Sequence, residues 1–147
     1  GQINEAKPWP WADTYPVARL VIQAENIEIS PMYVLSSVSG EALSFGPGHY
    51  SQTVLPGHFG DSMVAGHRDS HFSFLQKLKV GDTIVAKNYQ GASQHYQIEK
   101  IKVMDTRIDT LTIDSSVNRM QLVTCYPFDA IAAGVPLRYV VQANAIK

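Results

Sequence analysis

The chain has 147 residues, of which 45% are hydrophobic and 17% are charged, and its formal net charge is −1. This length suits one domain with a hydrophobic core, and the small net charge offers no broad electrostatic field for nucleic acid or an anionic membrane. No apolar stretch approaches the roughly 18–20 residues that span a bilayer, and no charged region followed by an apolar one opens the sequence.

The first segment of the chain, residues 1–16, is predicted to be an irregular lead-in. Within it, Lys7–Pro16 holds three prolines and two tryptophans, which also leaves room for a short helix at Trp11–Thr14. After the lead-in, apolar residues come in short runs rich in β-branched side chains, as is typical of strands. The predicted strands are Val17–Gln23, Met32–Ser36, Met63–Ala65, Thr83–Ala86, His95–Val103, Thr110–Ile113, Met120–Cys125 and Leu137–Gln142.

Only one segment has helical spacing. Asp69–Leu78 places apolar residues at offsets of three, with Asp69 or Ser70 as the predicted N-cap. Turns rich in glycine, proline and asparagine separate the other runs. The sequence therefore predicts an all-β domain over residues 17–147, most economically a closed or nearly closed β-barrel with one or two short helices.

Cys125 is the only cysteine, so an intramolecular disulfide and a cysteine zinc cluster are excluded. A lone cysteine in a strand is commonly a small buried hydrophobe. Cys125, however, ends its predicted strand directly before Tyr126 and Pro127, where proline stops regular pairing. That place favours exposure at the rim of the scaffold, and hence a nucleophile.

A nucleophilic cysteine needs a cationic neighbour, because an ordinary thiol with a pKa of about 8.5 is only a few per cent ionised near neutrality. His67 has the strongest context, since it follows an apolar strand and a glycine and can project into a groove. No histidines have metal-site spacing with a nearby third ligand, so neither a metal nor a cofactor is expected. The other four histidines are interpreted as loop, surface or capping residues: His49, His58, His71 and His95.

Arg138 stands in the otherwise apolar run Val135–Gln142. A cation in such a strand needs a partner or a groove. The pattern alone is equally compatible with an arginine that faces solvent on the outside of a barrel.

Together, three of these segments resemble the sortase family of cysteine transpeptidases. Leu122–Cys125 is similar to the family signature Thr-Leu-X-Thr-Cys, Ala65–Arg68 to its histidine motif, and Leu137–Val141 to the last strand, which carries its arginine. The motifs come in the family's order. Gln121 departs from the housekeeping signature, which has threonine there.

Flanking segments extend the resemblance over most of the chain. Gly46–His49, Asp69–Leu75 and Val80–Asp82 resemble sortases outside the housekeeping class A. The start of the chain, Lys7–Thr14 followed by Pro16–Leu20, is similar to the class found in Gram-negative bacteria.

The resemblance implies an eight-stranded β-barrel and an extracytoplasmic location, with a membrane anchor that would precede Gly1. In a Gram-negative organism this location is the periplasmic face of the inner membrane. It also implies two partners, a surface protein with a C-terminal sorting signal, often Leu-Pro-X-Thr-Gly-like, and an amine acceptor.

The residues then receive roles in thioacyl chemistry. Cys125 is the predicted nucleophile, and His67 stabilises the thiolate and protonates the leaving amine. Arg138 donates to the substrate backbone and the developing oxyanion, aided by a backbone N–H near Tyr126. Thr124 and Tyr126 are the predicted substrate-binding residues.

Two further hypotheses stay open. An L,D-transpeptidase-like or hydrolytic cysteine peptidase would use the same residue types, although the Ser-His-Gly-Cys-X-Arg cluster of L,D-transpeptidases is absent from this sequence. A non-catalytic β-barrel binding module would simply bury Cys125, and a thiol-directed reagent would distinguish it.

Overall fold

The computed structural model describes residues 14–38, 43, 45–68, 70–128 and 136–146. Most of the lead-in, including residues 11–13 of the possible first helix, lies outside this range. The elements, in chain order, are β1 (Pro16–Gln23), β2 (Met32–Leu35), β3 (Gly48–His49), β4 (Asp61–Ala65), the 3₁₀ helix η1 (Ser73–Lys77), β5 (Thr83–Asn88), β6 (Ser93–Asp105), β7 (Arg119–Tyr126) and β8 (Leu137–Ile146).

The eight strands form one closed barrel, in the order β1-β2-β3-β4-β7-β8-β6-β5, with β5 pairing back onto β1. Most neighbours are antiparallel, whereas β2–β3 and β4–β7 are parallel. The parallel pair β4–β7 matters most for function, because it brings the ends of both strands to the same rim. The predicted all-β closed barrel is confirmed.

Three element predictions were wrong in detail. The predicted strand Thr110–Ile113 is not a strand, because β7 already pairs with β4 and β8 and a closed barrel leaves no edge for it. Conversely, β3 has only two residues and therefore no sequence period, and the glycines and proline at 46–48 are typical of a turn. The predicted helix is the 3₁₀ helix η1, whose three residues per turn fit the spacing of three. Its N-cap is Phe72, without a side-chain cap bond, and not Ser70.

Alternation along the strands separates two apolar clusters. The main core fills the barrel, and β4, β7 and β8 contribute inward residues to it: Val64, Met120, Leu122, Val141 and Ala143. A second cluster lies on the opposite, outer face of the same three strands and consists of Met63, Val123 and Val140, with Tyr50 and Leu111 packed against it. Of the predicted site residues, Cys125 and Arg138 belong to this outer face, whereas Thr124 and Tyr126 point to the inner side.

Candidate active site

Cys125 is the penultimate residue of β7. It lies two residues beyond Val123 and therefore on the same outer face. Its thiol is half-buried and free. The side chain therefore belongs neither to the main core nor to open solvent, as a nucleophile at the rim of a barrel requires.

Arg138 is the direct cross-strand partner of Cys125 in the antiparallel pair β7–β8. Directly opposed residues on one face have Cβ atoms about 4.5–5.5 Å apart, so the guanidinium and the thiol share one region. Arg138 is half-buried, and its Nη1 donates to the carbonyl oxygen of Leu137 at 3.0 Å. Two residues further along β8, Val140 belongs to the outer cluster, which confirms that Arg138 stands on the outer face.

His67 comes to the same rim through the parallel pairing of β4 with β7. Ala65 pairs with Val123, and the Gly66 N–H still donates to the Val123 carbonyl oxygen at 3.2 Å. Continuing this register by two residues beyond Ala65 and Val123 places His67 opposite Cys125. His67 is exposed, and a turn begins there, since its carbonyl oxygen accepts the Phe72 N–H at 3.0 Å.

Thr124 and Gly66 hold this arrangement from the inner side. The Thr124 hydroxyl is buried and donates to the Gly66 carbonyl oxygen at 2.7 Å. A Cβ on Gly66 would lie only 2.7 Å from Cγ of Phe72, so glycine is needed for the ring to close over the strand end. Thr124 thus ties the His67 segment to β7, while its predicted contact with substrate stays a prediction.

Tyr126 is half-buried within an aromatic group at the same end of the barrel. Its ring stacks on Tyr139 at 5.7 Å between centroids, and Phe128 meets both rings edge to face. Phe128 and Tyr139 also pack against the main core. The group closes the barrel interior beneath the rim that carries Cys125.

Two other arginines have acidic partners of their own. Arg107 forms an exposed ion pair with Asp105 at 2.7 Å, and the contact lowers the pKa of Asp105 to about 2. Arg119, which lies six residues before Cys125 on β7, donates to Asp61 at 2.9 Å.

His49 corrects one interpretation, because it is buried at 5% exposure and not a solvent-facing loop residue. Its Nε2 lies 2.9 Å from the Val54 carbonyl oxygen and 3.1 Å from Oγ1 of Thr53. Burial lowers the pKa of His49, and bonds to the 53–54 backbone partly offset that. The turn pattern failed here because the ring fills space beneath the 50–60 connection.

A buried polar network at the far end of the outer face was not predicted. Asp61 is 1% exposed and accepts bonds from Arg119 Nη2, Gln121 Nε2 and the Asp114 N–H. The sequence gives only a partial signal: Asp61, Gln121 and Gln142 are polar residues in largely apolar strands, but their contact depends on the strand pairing.

In the described part of the chain, no group of three or more His, Cys, Asp or Glu side chains is placed to hold a metal ion. None of the helices described is long and apolar enough to cross a membrane.

The sequence and the fold were compared with known proteins. A family profile described as the Sortase domain matches residues 20–146. The chain belongs to the sortase family. This family consists of cysteine transpeptidases. Sortase D of Bacillus subtilis (strain 168) is 29% identical over 115 residues, which are 77% of this chain and 57% of that protein. The chain thus spans little more than half the length of this relative.

Solved sortases share the barrel. A Clostridium perfringens Sortase D5 transpeptidase is 27% identical with a TM-score of 0.73, over 90% of this chain and 79% of that one. A pilus-related Sortase C of Group B Streptococcus is 26% identical with a TM-score of 0.73, over 90% and 68% of the two chains. These likenesses confirm the eight-stranded barrel that the motifs implied.

Proposed function

We propose that this sortase cleaves a C-terminal sorting signal of a surface protein through a thioacyl intermediate on Cys125 and transfers the acyl group to an amine. One observation carries the proposal. Cys125 and Arg138 are cross-strand partners on the outer face, and the β4–β7 register brings His67 opposite the same cysteine.

The chemistry divides into two acyl transfers. In the first, the Cys125 thiolate attacks the scissile carbonyl, and the amine leaves with a proton from the His67 imidazolium. In the second, neutral His67 accepts a proton from the incoming amine as that amine attacks the thioester, and the thiolate departs. Arg138 donates to the oxyanion in both steps, with a backbone N–H near Tyr126 as the second donor.

The partners and the location follow from this activity. The substrate is a surface protein with a short C-terminal sorting motif, the acceptor is an amine, and the reaction takes place outside the cytoplasm on a membrane-anchored enzyme. We further assign the chain to the class of Gram-negative bacteria, on the periplasmic face of the inner membrane. This assignment rests only on the sequence of Lys7–Thr14 and Pro16–Leu20, since the matched relatives are Gram-positive sortases.

The test is a partition experiment. Peptides that carry candidate sorting motifs are incubated with the protein and increasing concentrations of glycine amide, and products are identified by mass spectrometry. Transfer predicts that the acyl group ends on the amine more than on water. Free acid at every amine concentration would instead support the hydrolytic cysteine peptidase. The half-buried, free thiol already argues against a binding module with a cysteine in its core.

A further inference from the structure

The residue that departs from the family signature, Gln121, has a defined place in the structure. It is 1% exposed and stands on the outer face of β7, where its side chain reaches Asp61 on β4 and lies directly opposite Gln142 on β8. Threonine, which the housekeeping signature has here, is too short to make the same contacts. The substitution therefore marks a feature of this chain.

The polar network around Gln121 spans all three strands. Nε2 of Gln121 donates to Oδ1 of Asp61 at 3.1 Å, and its Oε1 accepts from Nε2 of Gln142 at 2.9 Å. Arg119 supplies the charge that balances Asp61, through Nη2 at 2.9 Å. A buried carboxylate without these partners would be strongly disfavoured, so the network has one well-defined arrangement.

The same network binds the connection between β6 and β7, residues 106–118. The Asp114 N–H donates to Oδ2 of Asp61 at 2.8 Å, and Gln121 Nε2 donates to the Thr112 carbonyl oxygen at 3.3 Å. These two bonds flank Ile113 and follow Leu111, which packs on the outer apolar cluster. These bonds on the outer face thus fix the position of Leu111 on that cluster.

We propose that Asp61 and Gln121 are positioning residues that set substrate specificity, by fixing residues 111–114 over the outer apolar cluster. The proposal rests on the proposed function. An acyl chain joined to Cys125 must run along this face, because Val123 of the cluster lies only about 6.6 Å further down the strand. Leu111 and the cluster together then form the surface that receives an apolar side chain of the substrate.

The test compares two substitutions with the same chemistry, Gln121→Met and Gln142→Met. Both replace a glutamine by an apolar residue of similar length, but only Gln121 contacts Asp61 and the 106–118 connection. Gln142→Met removes a bond of the same network without touching that connection. Gln121→Thr, which introduces a residue suited to strands, is the second variant if Gln121→Met does not fold.

Three measurements are made on each folded variant. For Gln121→Met we expect KM for a cleaved peptide to rise at least about fivefold while kcat stays within about twofold, because only binding is altered. Discrimination between leucine and alanine at the preferred apolar position of the peptide should fall at least about tenfold. Hydrogen exchange at the Asp114 amide should accelerate at least about tenfold. Gln142→Met should stay within about twofold in all three.

The outcomes separate the two proposals. Unchanged exchange at Asp114 in the Gln121 variants would overturn the positioning role, and faster exchange with unchanged KM and selectivity would overturn the role in specificity. Equal effects of both methionine variants would show a general loss of stability and also reject it. If the wild-type protein cleaves no peptide, the proposed function fails, and the exchange rates still decide whether the network fixes the connection.

Discussion

The outer face of β4, β7 and β8 has two ends with opposite character. At the reactive end, defined by His67, Cys125 and Arg138, the side chains are exposed or half-buried and lie where strands begin or stop. At the anchored end, defined by Asp61, Arg119 and Gln121, the carboxylate and the amide are buried and bonded to each other. The outer apolar cluster lies between the two ends.

The comparison shows how one strand, β7, can both anchor a neighbouring connection and present a reactive side chain. On β7, residues 121, 123 and 125 point to the same side, and only their distance from the rim differs. Deep in the strand a polar group must be fully bonded, which fixes a neighbouring connection. At the rim a reactive group stays within reach of substrate.

Replacing arginine by lysine at each end should show the largest difference between the reactive end and the anchored end. Arg138→Lys should lower kcat about a hundredfold or more with the fold retained, because an ammonium cannot present a planar pair of donors to an oxyanion. Arg119 reaches Asp61 through Nη2, so Arg119→Lys can keep a point-charge contact and should leave kcat within about threefold. Steady-state kinetics and circular dichroism decide this, and equal kcat losses in both variants would refute the division of the face.

The next largest effect is expected from a substitution at Gly66, which precedes the turn that carries His67. Gly66→Ala should destabilise the protein by about 1–3 kcal/mol and reduce turnover, because the added Cβ meets the Phe72 ring and displaces the strand end. Gly46→Ala is the control, since a Cβ there has only ordinary contacts at 3.5 Å. Urea unfolding and turnover of both variants test this, and a Gly66 variant as stable and active as the Gly46 variant would contradict it.

The smallest expected effect is a pH dependence of stability that comes from the buried His49. Through Thr53, its ring supports β4 near Met63, in the middle of the outer face. Thr53 Oγ1 accepts both the Met63 N–H and a bond from the buried His49 ring. Because burial lowers the folded-state pKa of His49, the unfolded chain binds the proton more tightly. Stability should therefore be full above the ordinary histidine pKa of 6.5 and fall as pH drops through it.

The histidine can be isolated by substitution. His49→Gln keeps a side-chain donor for the Val54 carbonyl oxygen but cannot be protonated. The melting temperatures of the wild type at pH 7.5 and pH 5.5 should differ more than those of this variant. An equal difference in both proteins would exclude His49 as the source.

Sequence reasoning could predict the barrel and the reactive end because both have local signals. Short β-branched runs indicate strands, and Cys125 and His67 stand at recognisable strand ends. The exact partners of those strands have no such signal, since the parallel pairing of β4 with β7 joins residues about 58 positions apart.

The anchored end was missed for the same reason. Gln121 and Asp61 are 60 positions apart, and nothing within either strand shows that they meet. Thr110–Ile113 has strand composition, yet the closed barrel leaves no edge for it, so it crosses the outer face instead. His49 has turn neighbours, and only the packing of the 50–60 connection buries its ring.

The central claim is that Cys125 forms a thioester with the acyl part of a sorting signal. The direct measurement is intact-protein mass spectrometry after mixing the enzyme with a sorting-signal peptide without added amine, with Cys125→Ala as the control. The account predicts an added mass equal to the acyl fragment on wild type alone, located at Cys125 and released as an amide when an amine is added. Peptide cleavage that persists in Cys125→Ala, or an acyl adduct on another residue, would contradict it.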